Sequence, residues 1–250
     1  MLLLALFTLY AAMLSIHLAR SGFRARAHSA PSPAAARHRP SRVMVVGATG
    51  GTGRELVTQA LARGCEVTAL ARDPARLKLK DARLTVVTGD VMDPGSLDTA
   101  ARGCDAVLCA LGHKKFLGPT HIQSTGTRNL IAAMQRQGVS RLVVETSLGL
   151  GDSAGRLGLI YTWFTLPIVL PFYFADKARQ ERVIAGSDRE WVIVRPGALT
   201  FGKATGRYRH GRQAGSVLLT RSIARADVAA FMLDQCTSDM YLRTAPGISN

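Results

Sequence analysis

Short apolar runs alternate along most of the chain with stretches in which apolar residues recur at helical spacing. The first run, at positions 43–46, ends in a glycine-rich turn, and a helix over 52–63 follows it. The same order repeats, and it predicts strands at 66–71, 84–87, 106–109, 141–145 and 191–194 with helices at 94–102, 122–137 and 176–185. This alternation predicts an α/β fold, a Rossmann-like doubly wound parallel sheet in a single domain over residues 43–250. Ligands of such sheets bind beyond the carboxyl ends of the strands.

An apolar segment precedes this domain. Residues 2–19 contain no Asp, Glu, Lys or Arg, and as a helix they would extend roughly 27 Å at about 1.5 Å per residue, which nearly spans a bilayer core. Arginines at 20, 24 and 26 follow the segment and favour a cytoplasmic position for the rest of the chain. We therefore expect a signal-anchor helix over residues 1–20, a disordered basic linker over 21–42, and a membrane-anchored cytoplasmic domain.

Two other interpretations of the N-terminal region stay open. Ala25-Arg26-Ala27 has the small-x-small pattern of a cleavage site, which is typical of a signal peptide. Residues 20–42 are also rich in arginine, serine and alanine and contain no acidic residue, a composition typical of an organellar transit peptide. The second interpretation predicts an organellar protein after removal of the transit peptide.

A second apolar segment covers residues 157–174, which contain no charged residue and include Pro167 and Pro171. A membrane span here would separate the fifth strand from the helix that must return to the sheet, so we exclude it. The segment is either a buried connection packed over the sheet or a hydrophobic lid over the substrate crevice that also touches the bilayer. We expect membrane contact through residues 2–19 and, in the second interpretation, through 157–174.

Composition narrows the classes of partner. The 250 residues carry a net charge of +15, and six arginines but no acidic residue lie in residues 1–42, so the domain is basic as well. A positive surface suits a phosphorylated dinucleotide or an anionic membrane, whereas no motif interleaves aromatic and basic residues as nucleic-acid binding would require. The four cysteines show no metal-ligand spacing, so we expect reduced, buried thiols and no metal site. Nothing in the pattern indicates an oligomeric state.

The glycine-rich turn is the first candidate for chemistry. The sequence VMVVGATGGTG places a strand, a tight turn and a helix N-terminus in succession, and the free N–H groups and dipole of such a helix hold a pyrophosphate. Gly47 lets the backbone turn, Gly50 or Gly51 lets a phosphate approach, and Gly53 lets the helix pack against the sheet. Thr49 and Thr52 lie within the same turn and complete the predicted cofactor cradle.

A basic residue after the second strand indicates which dinucleotide binds. Arg72 lies 19 residues beyond Gly53, near the position where an acidic residue binds a ribose hydroxyl or an arginine binds a 2′-phosphate. Asp73 is the acidic alternative, but Pro74 follows it, and that pair is typical of the start of a short helix. We therefore expect NADP(H) rather than NAD.

Seven segments together resemble a known family: GATGGTG, ALARDP, GDVMDP, CALG, ETSLGLGDS, FADKARQE and WVIVRPGALT. They are similar to the atypical, NAD(P)H-binding branch of the short-chain dehydrogenase/reductase superfamily, which contains flavin/biliverdin reductase-like and NmrA-like proteins. The resemblance covers nearly all of residues 43–250. It implies three groups of cofactor contacts: Gly47, Gly50, Thr52 and Gly53 at the pyrophosphate, with Arg72 at the adenosine phosphate; Asp90 and Val91 at the adenine; and Leu111 and Gly112 at the nicotinamide ribose.

The resemblance also implies candidate catalytic residues. Many members of the superfamily combine a Ser or Thr after the fifth strand with a Tyr-x-x-x-Lys pair, in which the lysine lowers the tyrosine pKa for proton transfer. Ser147, Tyr173 and Lys177 match that pattern. The atypical branch often lacks the tyrosine, and Tyr173 lies in an apolar PFYF stretch where packing is the alternative. Lys177 has a helix ion pair with Glu181 as its alternative.

His113 follows the fourth strand beside Lys114 and Lys115, where it is either an acid or phosphate contact or a solvated loop residue.

Together the candidate cofactor and catalytic residues favour an NADPH-dependent oxidoreductase that reduces a small apolar or aromatic acceptor, of quinone, flavin or tetrapyrrole type, by hydride transfer. The alternative is a non-catalytic NADPH-sensing or assembly protein of the NmrA-like kind.

Overall fold

The computed structural model describes residues 2–21, 39–113, 116 and 118–250. Its strands are β1 (Arg42–Val46), β2 (Glu66–Ala71), β3 (Leu84–Thr88), β4 (Ala106–Cys109), β5 (Arg141–Glu145), β6 (Glu190–Pro196), β7 (Ala198–Thr200), β8 (Arg209–Gly211), β9 (Ser222–Ala224) and β10 (Gly247–Ser249). Its α-helices are α1 (Leu2–Ser21), α2 (Gly51–Ala62), α3 (Pro94–Ala101), α4 (Ile122–Arg136), α5 (Pro171–Ala185) and α6 (Arg225–Asp234). A π-helical segment, Tyr161–Val169, precedes α5. Of the predicted basic linker, residues 22–38 lie outside the described residues.

The central sheet has the strand order β3-β2-β1-β4-β5-β6-β10-β8. Its pairings are parallel except for that of β8 with β10. In register, Val46 at the end of β1 pairs with Leu70 of β2 and with Cys109 of β4, so the turns after these strands leave the sheet close together. The strand order reverses between β1 and β4, where a doubly wound sheet forms its ligand crevice. The predicted Rossmann-like fold is confirmed.

Both faces of the sheet are covered. Side chains of α2 and α6 pack in one apolar cluster with the sheet, and side chains of α3, α4 and the end of α5 pack in a second. Residues Val43, Met44, Val45 and Val46 of β1 are fully buried, which explains why this strand is a continuous apolar run rather than an alternating one. The site therefore rests on a rigid, two-sided core.

The four cysteines lie inside this core as free thiols. Burial raises the pKa of Cys109 to about 11 and that of Cys236 to about 12. Because the thiolate is the reactive form, these cysteines are inert at neutral pH. The prediction that the thiols are buried is confirmed.

The N-terminal helix packs on the domain, a contact that its sequence pattern did not predict. Tyr10 Oη donates a hydrogen bond to the Pro167 carbonyl oxygen (3.2 Å), and the rings of Phe7 and Phe164 stack with centroids 6.0 Å apart. Leu18 is buried among apolar residues of the loops that follow β5. Within the described ranges, no helix is both long enough and apolar enough to cross a membrane. The expected signal-anchor is therefore not supported.

The apolar segment 157–174 is buried on one side only. Leu166 and Phe174 pack in the interior, whereas Ile160 and Phe164 are exposed. Helix α5 begins at Pro171, five residues before the predicted start. Proline suits the first helical position, since the N–H group that it lacks has no partner there in any helix. The earlier start places Tyr173 and Lys177 on the same helix.

Candidate functional site

The turn between β1 and α2 has no room for a side chain at Gly47 or at Gly53. Gly50 N donates to Gly47 O (2.9 Å), which closes the turn. Gly47 has a φ of +80°, and a Cβ placed on it would lie 2.4 Å from the carbonyl oxygen of Ala110. A Cβ on Gly53 would lie 2.0 Å from Gly47 O. The close approach of the turn to β4 and to its own helix therefore requires glycine at both positions.

Among the residues that the structure describes, no side chain caps the N-terminus of α2. Gly50 is the N-cap residue and makes no side-chain cap bond, and the first turn carries no acidic residue. The backbone N–H groups of that turn and the positive end of the helix dipole thus face the crevice without a carboxylate of their own helix. This arrangement suits an anionic ligand group.

Arg225, which sequence analysis missed, lies across this helix end. A Cβ on Gly51 would lie 2.5 Å from Arg225 Cδ and 2.6 Å from its Nε. The guanidinium carbon is 4.1 Å from the ring centroid of Phe201, and Nη1 is buried with no hydrogen-bond partner among the described residues. A buried donor without an acceptor is costly, and a phosphate oxygen is an acceptor that would satisfy it. One local signal was available: an arginine at the first position of a helix opposes the helix dipole.

Arg72 and Asp90, which follow neighbouring strands, come together at the side of the crevice beyond β2. The Nε of Arg72 lies 3.9 Å from Asp90 Oδ2, and both side chains are exposed. Val91 is buried directly beside Asp90. The carboxylate of Asp73 accepts a bond from Ala75 N (3.2 Å) as the cap of a short helix, which confirms its predicted structural role.

On the other side of the crevice, helix α5 brings the tyrosine and the lysine to the end of β4. A Cβ on Gly112 would lie 3.5 Å from Tyr173 Oη. Lys177 Nζ lies 5.3 Å from the centroid of the Tyr173 ring and donates to the backbone oxygen of Glu145 (3.4 Å). Only 3% of Lys177 is exposed. The structure therefore brings Gly112, Tyr173 and Lys177 into one group, with Leu111 partly buried next to it.

Aromatic rings surround Tyr173. The His113 ring makes an edge contact with centroids 5.0 Å apart, and Phe116 makes another at 5.8 Å. His113 Nε2 also lies 3.0 Å from the hydroxyl of Thr120. Lys114 and Lys115 lie outside the described residues. His113 is thus part of the wall around Tyr173 rather than a solvated loop residue.

A buried carboxylate joins the two sides, and sequence analysis missed it. Glu145 is the last residue of β5, and its Oε1 accepts a bond from Thr52 Oγ1 of helix α2 (3.1 Å). Burial raises the pKa of Glu145, while the charge of Lys177, the bond from Thr52 and the charge of Arg225 act in the opposite direction. The signal was an acidic residue at the end of an otherwise apolar strand.

The residue after Glu145 belongs to a second buried network of hydrogen bonds and ion pairs. Thr146 Oγ1 donates to Glu181 Oε1 (2.8 Å), and Arg195 donates to both oxygens of Glu181 (2.9 and 2.7 Å) and also pairs with Asp152. This network ties β6 to α5 and to the loop after β5. Ser147 follows at the carboxyl end of β5, half-buried. The network holds in place the helix that carries Tyr173 and Lys177.

Comparison with known proteins assigns this arrangement to a family. A model of the NAD(P)H-binding family matches residues 47–239. An uncharacterized chloroplastic protein of Arabidopsis thaliana is 33% identical over 178 residues, which cover 66% of this chain and 61% of that protein. Photosystem II assembly factor Ycf39 of Synechocystis is 35% identical over 105 residues, or 41% of this chain and 32% of that protein. The chain thus spans less than two thirds of the length of these curated relatives.

Solved structures share the fold. A short-chain dehydrogenase/reductase from Veillonella parvula in complex with NADP superimposes with a TM-score of 0.69 at 17% identity, covering 84% of this chain and 95% of that one. The anaerobillin reductase ChuY from Escherichia coli superimposes with a TM-score of 0.66 at 24% identity, covering 83% of this chain and 96% of that one. At these identities the likeness establishes the fold alone.

Proposed function

We propose, from the premise that this chain belongs to the NAD(P)H-binding family, that it is an oxidoreductase that reduces a small apolar or aromatic acceptor of quinone, flavin or tetrapyrrole type with NADPH. The observation that carries the proposal is the buried Lys177 beside Tyr173 at the end of β4. A lysine withdrawn from water within a crevice is typical of catalytic sites rather than of helix surfaces.

The crevice fits a dinucleotide. The N-terminus of α2 and Arg225 Nη1, neither of which has a side-chain partner among the described residues, suit its pyrophosphate. The residues that would hold it there are Gly47, Thr49, Gly50, Gly51, Thr52, Gly53 and Arg225. Asp90 and Val91 would hold the adenosine side, and Leu111 and Gly112 would line the nicotinamide ribose. When bound, the dinucleotide supplies the hydride.

The preference for NADPH is carried by Arg72. Its side chain is 74% exposed and lies 3.9 Å from Asp90, a weak surface pair that leaves the guanidinium available to a 2′-phosphate. We expect Arg72→Ala to weaken NADPH binding about tenfold, as the loss of one charge-assisted contact would, and to leave NADH binding unchanged. Fluorescence titration of both dinucleotides measures this, and equal affinities in the wild type would contradict the preference.

Side chains of this protein supply the proton that the reduced acceptor takes up. The Tyr173 hydroxyl donates a proton to the acceptor atom that becomes basic on reduction, and the Lys177 ammonium stabilises the phenolate that is left. Ser147 orients the acceptor from the end of β5. The rings of His113 and Phe116 pack against Tyr173 and reduce its contact with water, which strengthens the effect of the lysine's charge.

A second candidate function is NADPH sensing or assembly without turnover. It is favoured by the similarity to a relative named as an assembly factor. The name of the Arabidopsis relative similarly favours the organellar alternative for localisation, and fractionation of cells that express the full chain tests that alternative.

The deciding experiment uses the purified full chain. We titrate it with NADPH and then follow the loss of nicotinamide absorbance with a quinone, a flavin and a tetrapyrrole. Oxidation that falls about 100-fold or more in Tyr173→Phe, within the usual range for general acid catalysis, supports the reductase. Binding without oxidation by any acceptor supports the sensor, and absence of NADPH binding overturns both.

A further inference from the structure

We propose that this protein binds the surface of an anionic lipid bilayer through one continuous apolar face. The face consists of three segments: the outward side of helix α1, the exposed side of residues 159–172, and the loop 217–219. The proposal is for a helix and loops that lie on the membrane rather than cross it.

Helix α1 contributes a side that its own packing leaves uncovered. Its inner side is held on the domain by Tyr10 and Phe7. Leu6, Leu9 and Met13, spaced three or four residues apart, are each more than half exposed. Docking of the helix thus buries one apolar side and leaves a second apolar side exposed. An ordinary amphipathic surface helix would carry polar residues on that exposed side.

The segment next to α1 continues the face. Ile160, Phe164 and Ile168 follow one another at a spacing of four residues, and each is more than half exposed. Phe164 also stacks on Phe7, so the exposed sides of the two segments adjoin. No charged residue interrupts positions 157–175.

The loop 217–219 extends the face on its other border. Val217, Leu218 and Leu219 are each more than half exposed. The backbone N of Leu159 donates to Leu218 O (3.4 Å), and Thr220 Oγ1 donates to Leu157 O (2.8 Å). These bonds hold the loop beside the start of the apolar segment. Contiguous exposed apolar surface of this kind marks an interaction site.

Charge identifies the occupant as an anionic bilayer. Arg212 and Arg221 flank the loop and are exposed, and residues 191–226 contain no acidic residue. Residues 1–54 likewise contain none. Basic residues beside an apolar face are attracted to anionic headgroups. The same charge would oppose a second copy of this chain, because two basic borders would face each other.

The position of the face has one consequence for the reaction. This consequence rests on the proposed function, whereas the proposed lipid binding does not. Helix α5 begins within the apolar segment, and Tyr173 packs against the same apolar cluster as Leu18 of α1 and Tyr161, so it lies beside the face. An apolar acceptor dissolved in the bilayer would reach Tyr173 without crossing water.

Co-sedimentation with vesicles tests the proposal. The full chain is mixed with vesicles of phosphatidylcholine alone or with added phosphatidylglycerol. We expect at least about tenfold stronger binding to the anionic vesicles, and a loss of about tenfold or more in Leu218→Glu/Leu219→Glu and in Phe164→Glu, because charge is expelled from the apolar boundary. Arg212→Gln/Arg221→Gln should remove the preference for anionic lipid.

The matched control is Met240→Glu, which places the same charge on a half-exposed apolar residue outside the face, next to Asp239, the partner of Arg141 at the amino end of β5. It should bind vesicles as the wild type does. Circular dichroism of every variant distinguishes unfolding from loss of lipid binding. NADPH titration of every variant distinguishes failure of the proposed function from loss of lipid binding. Wild-type chain that stays in the supernatant, or variants that bind unchanged, would overturn the proposal. So would concentration-dependent self-association that the same variants abolish without lipid, because the occupant would then be a second copy.

Discussion

The two ends of the crevice are built in different ways. At the phosphate end, seven consecutive residues supply a backbone turn in which a Cβ on Gly47 or Gly53 would collide with a carbonyl oxygen. At the reaction end, side chains from α2, β5 and α5 meet, and Thr52 and Glu145 bond across 93 residues of sequence. The glycine turn of the first end depends on the absence of a Cβ at Gly47 and Gly53, whereas the second end depends on buried side chains. We therefore expect changes at the first end to affect binding and changes at the second to affect turnover.

Two buried glutamates sharpen this contrast. Glu181 is paired by two bonds from Arg195, an arrangement that compensates a buried charge. Glu145 accepts its side-chain bond from a neutral hydroxyl, and its pKa is raised by burial. The first carboxylate is structural, whereas the second lies where a proton could be held.

The largest effect is expected at the phosphate end. Gly47→Ala should raise the Kd for NADPH about 100-fold or more, or prevent folding, because its Cβ would meet Ala110 O at 2.4 Å and because φ is positive, which by itself costs about 1–3 kcal/mol. The matched control is Gly64→Ala, with a φ of +88° and no atom of the described residues within 4 Å of its Cβ. Circular dichroism and NADPH titration measure both variants. Equal losses in the two would mean that strain alone, rather than close approach to β4, is responsible.

At the reaction end, Lys177→Met should lower kcat about 10²- to 10⁴-fold, the range for loss of assisted proton transfer. NADPH binding should change far less. Arg182→Met, an exposed cation on the same helix, is the control and should retain activity. Steady-state rates with the best acceptor of the panel measure both variants. A kcat that is unchanged in Lys177→Met would remove the distinction between the two ends.

Arg225 tests whether the phosphate end extends beyond the glycine turn. Arg225→Met should raise the Kd for NADPH about tenfold to 100-fold, since a charge-assisted bond contributes about 1.5–3 kcal/mol, and should leave kcat unchanged. Arg225→Lys should recover part of the affinity. The exposed Lys203→Met is the control. Tighter binding in Arg225→Met would mean that the guanidinium blocks the cradle instead of serving it.

The smallest effect is a pH dependence of stability. Because burial raises the pKa of Glu145 above the usual value for a glutamate, the folded state holds this proton at pH values where the unfolded state has lost it. The free energy of unfolding therefore falls as pH rises from about 4.5 through the folded-state pKa. Glu145→Gln should remove that fall. Urea titrations of both proteins across this range measure the difference, and parallel curves would contradict the buried-charge interpretation.

The local sequence determined the parts of this protein whose cause is local. The alternation of apolar runs and helical periodicity predicted β1 to β6 and the parallel sheet, since burial on both faces requires continuous apolar strands. Glycine spacing predicted the tight turn at Gly47, because the backbone there excludes a Cβ whatever surrounds it. The cap role of Asp73 was likewise contained in three residues.

Tertiary structure alone decided which distant side chains meet. Sequence spacing predicted neither the bond between Glu145 and Thr52 nor the position of Arg225 over Gly51, because each depends on how α2, β5 and α6 pack around one sheet. It predicted an apolar N-terminal helix but not the face that this helix forms with residues 159–172 and 217–219. A residue's own pattern determines its element and which side of that element is apolar. What that side touches is determined by the packing of all the elements together.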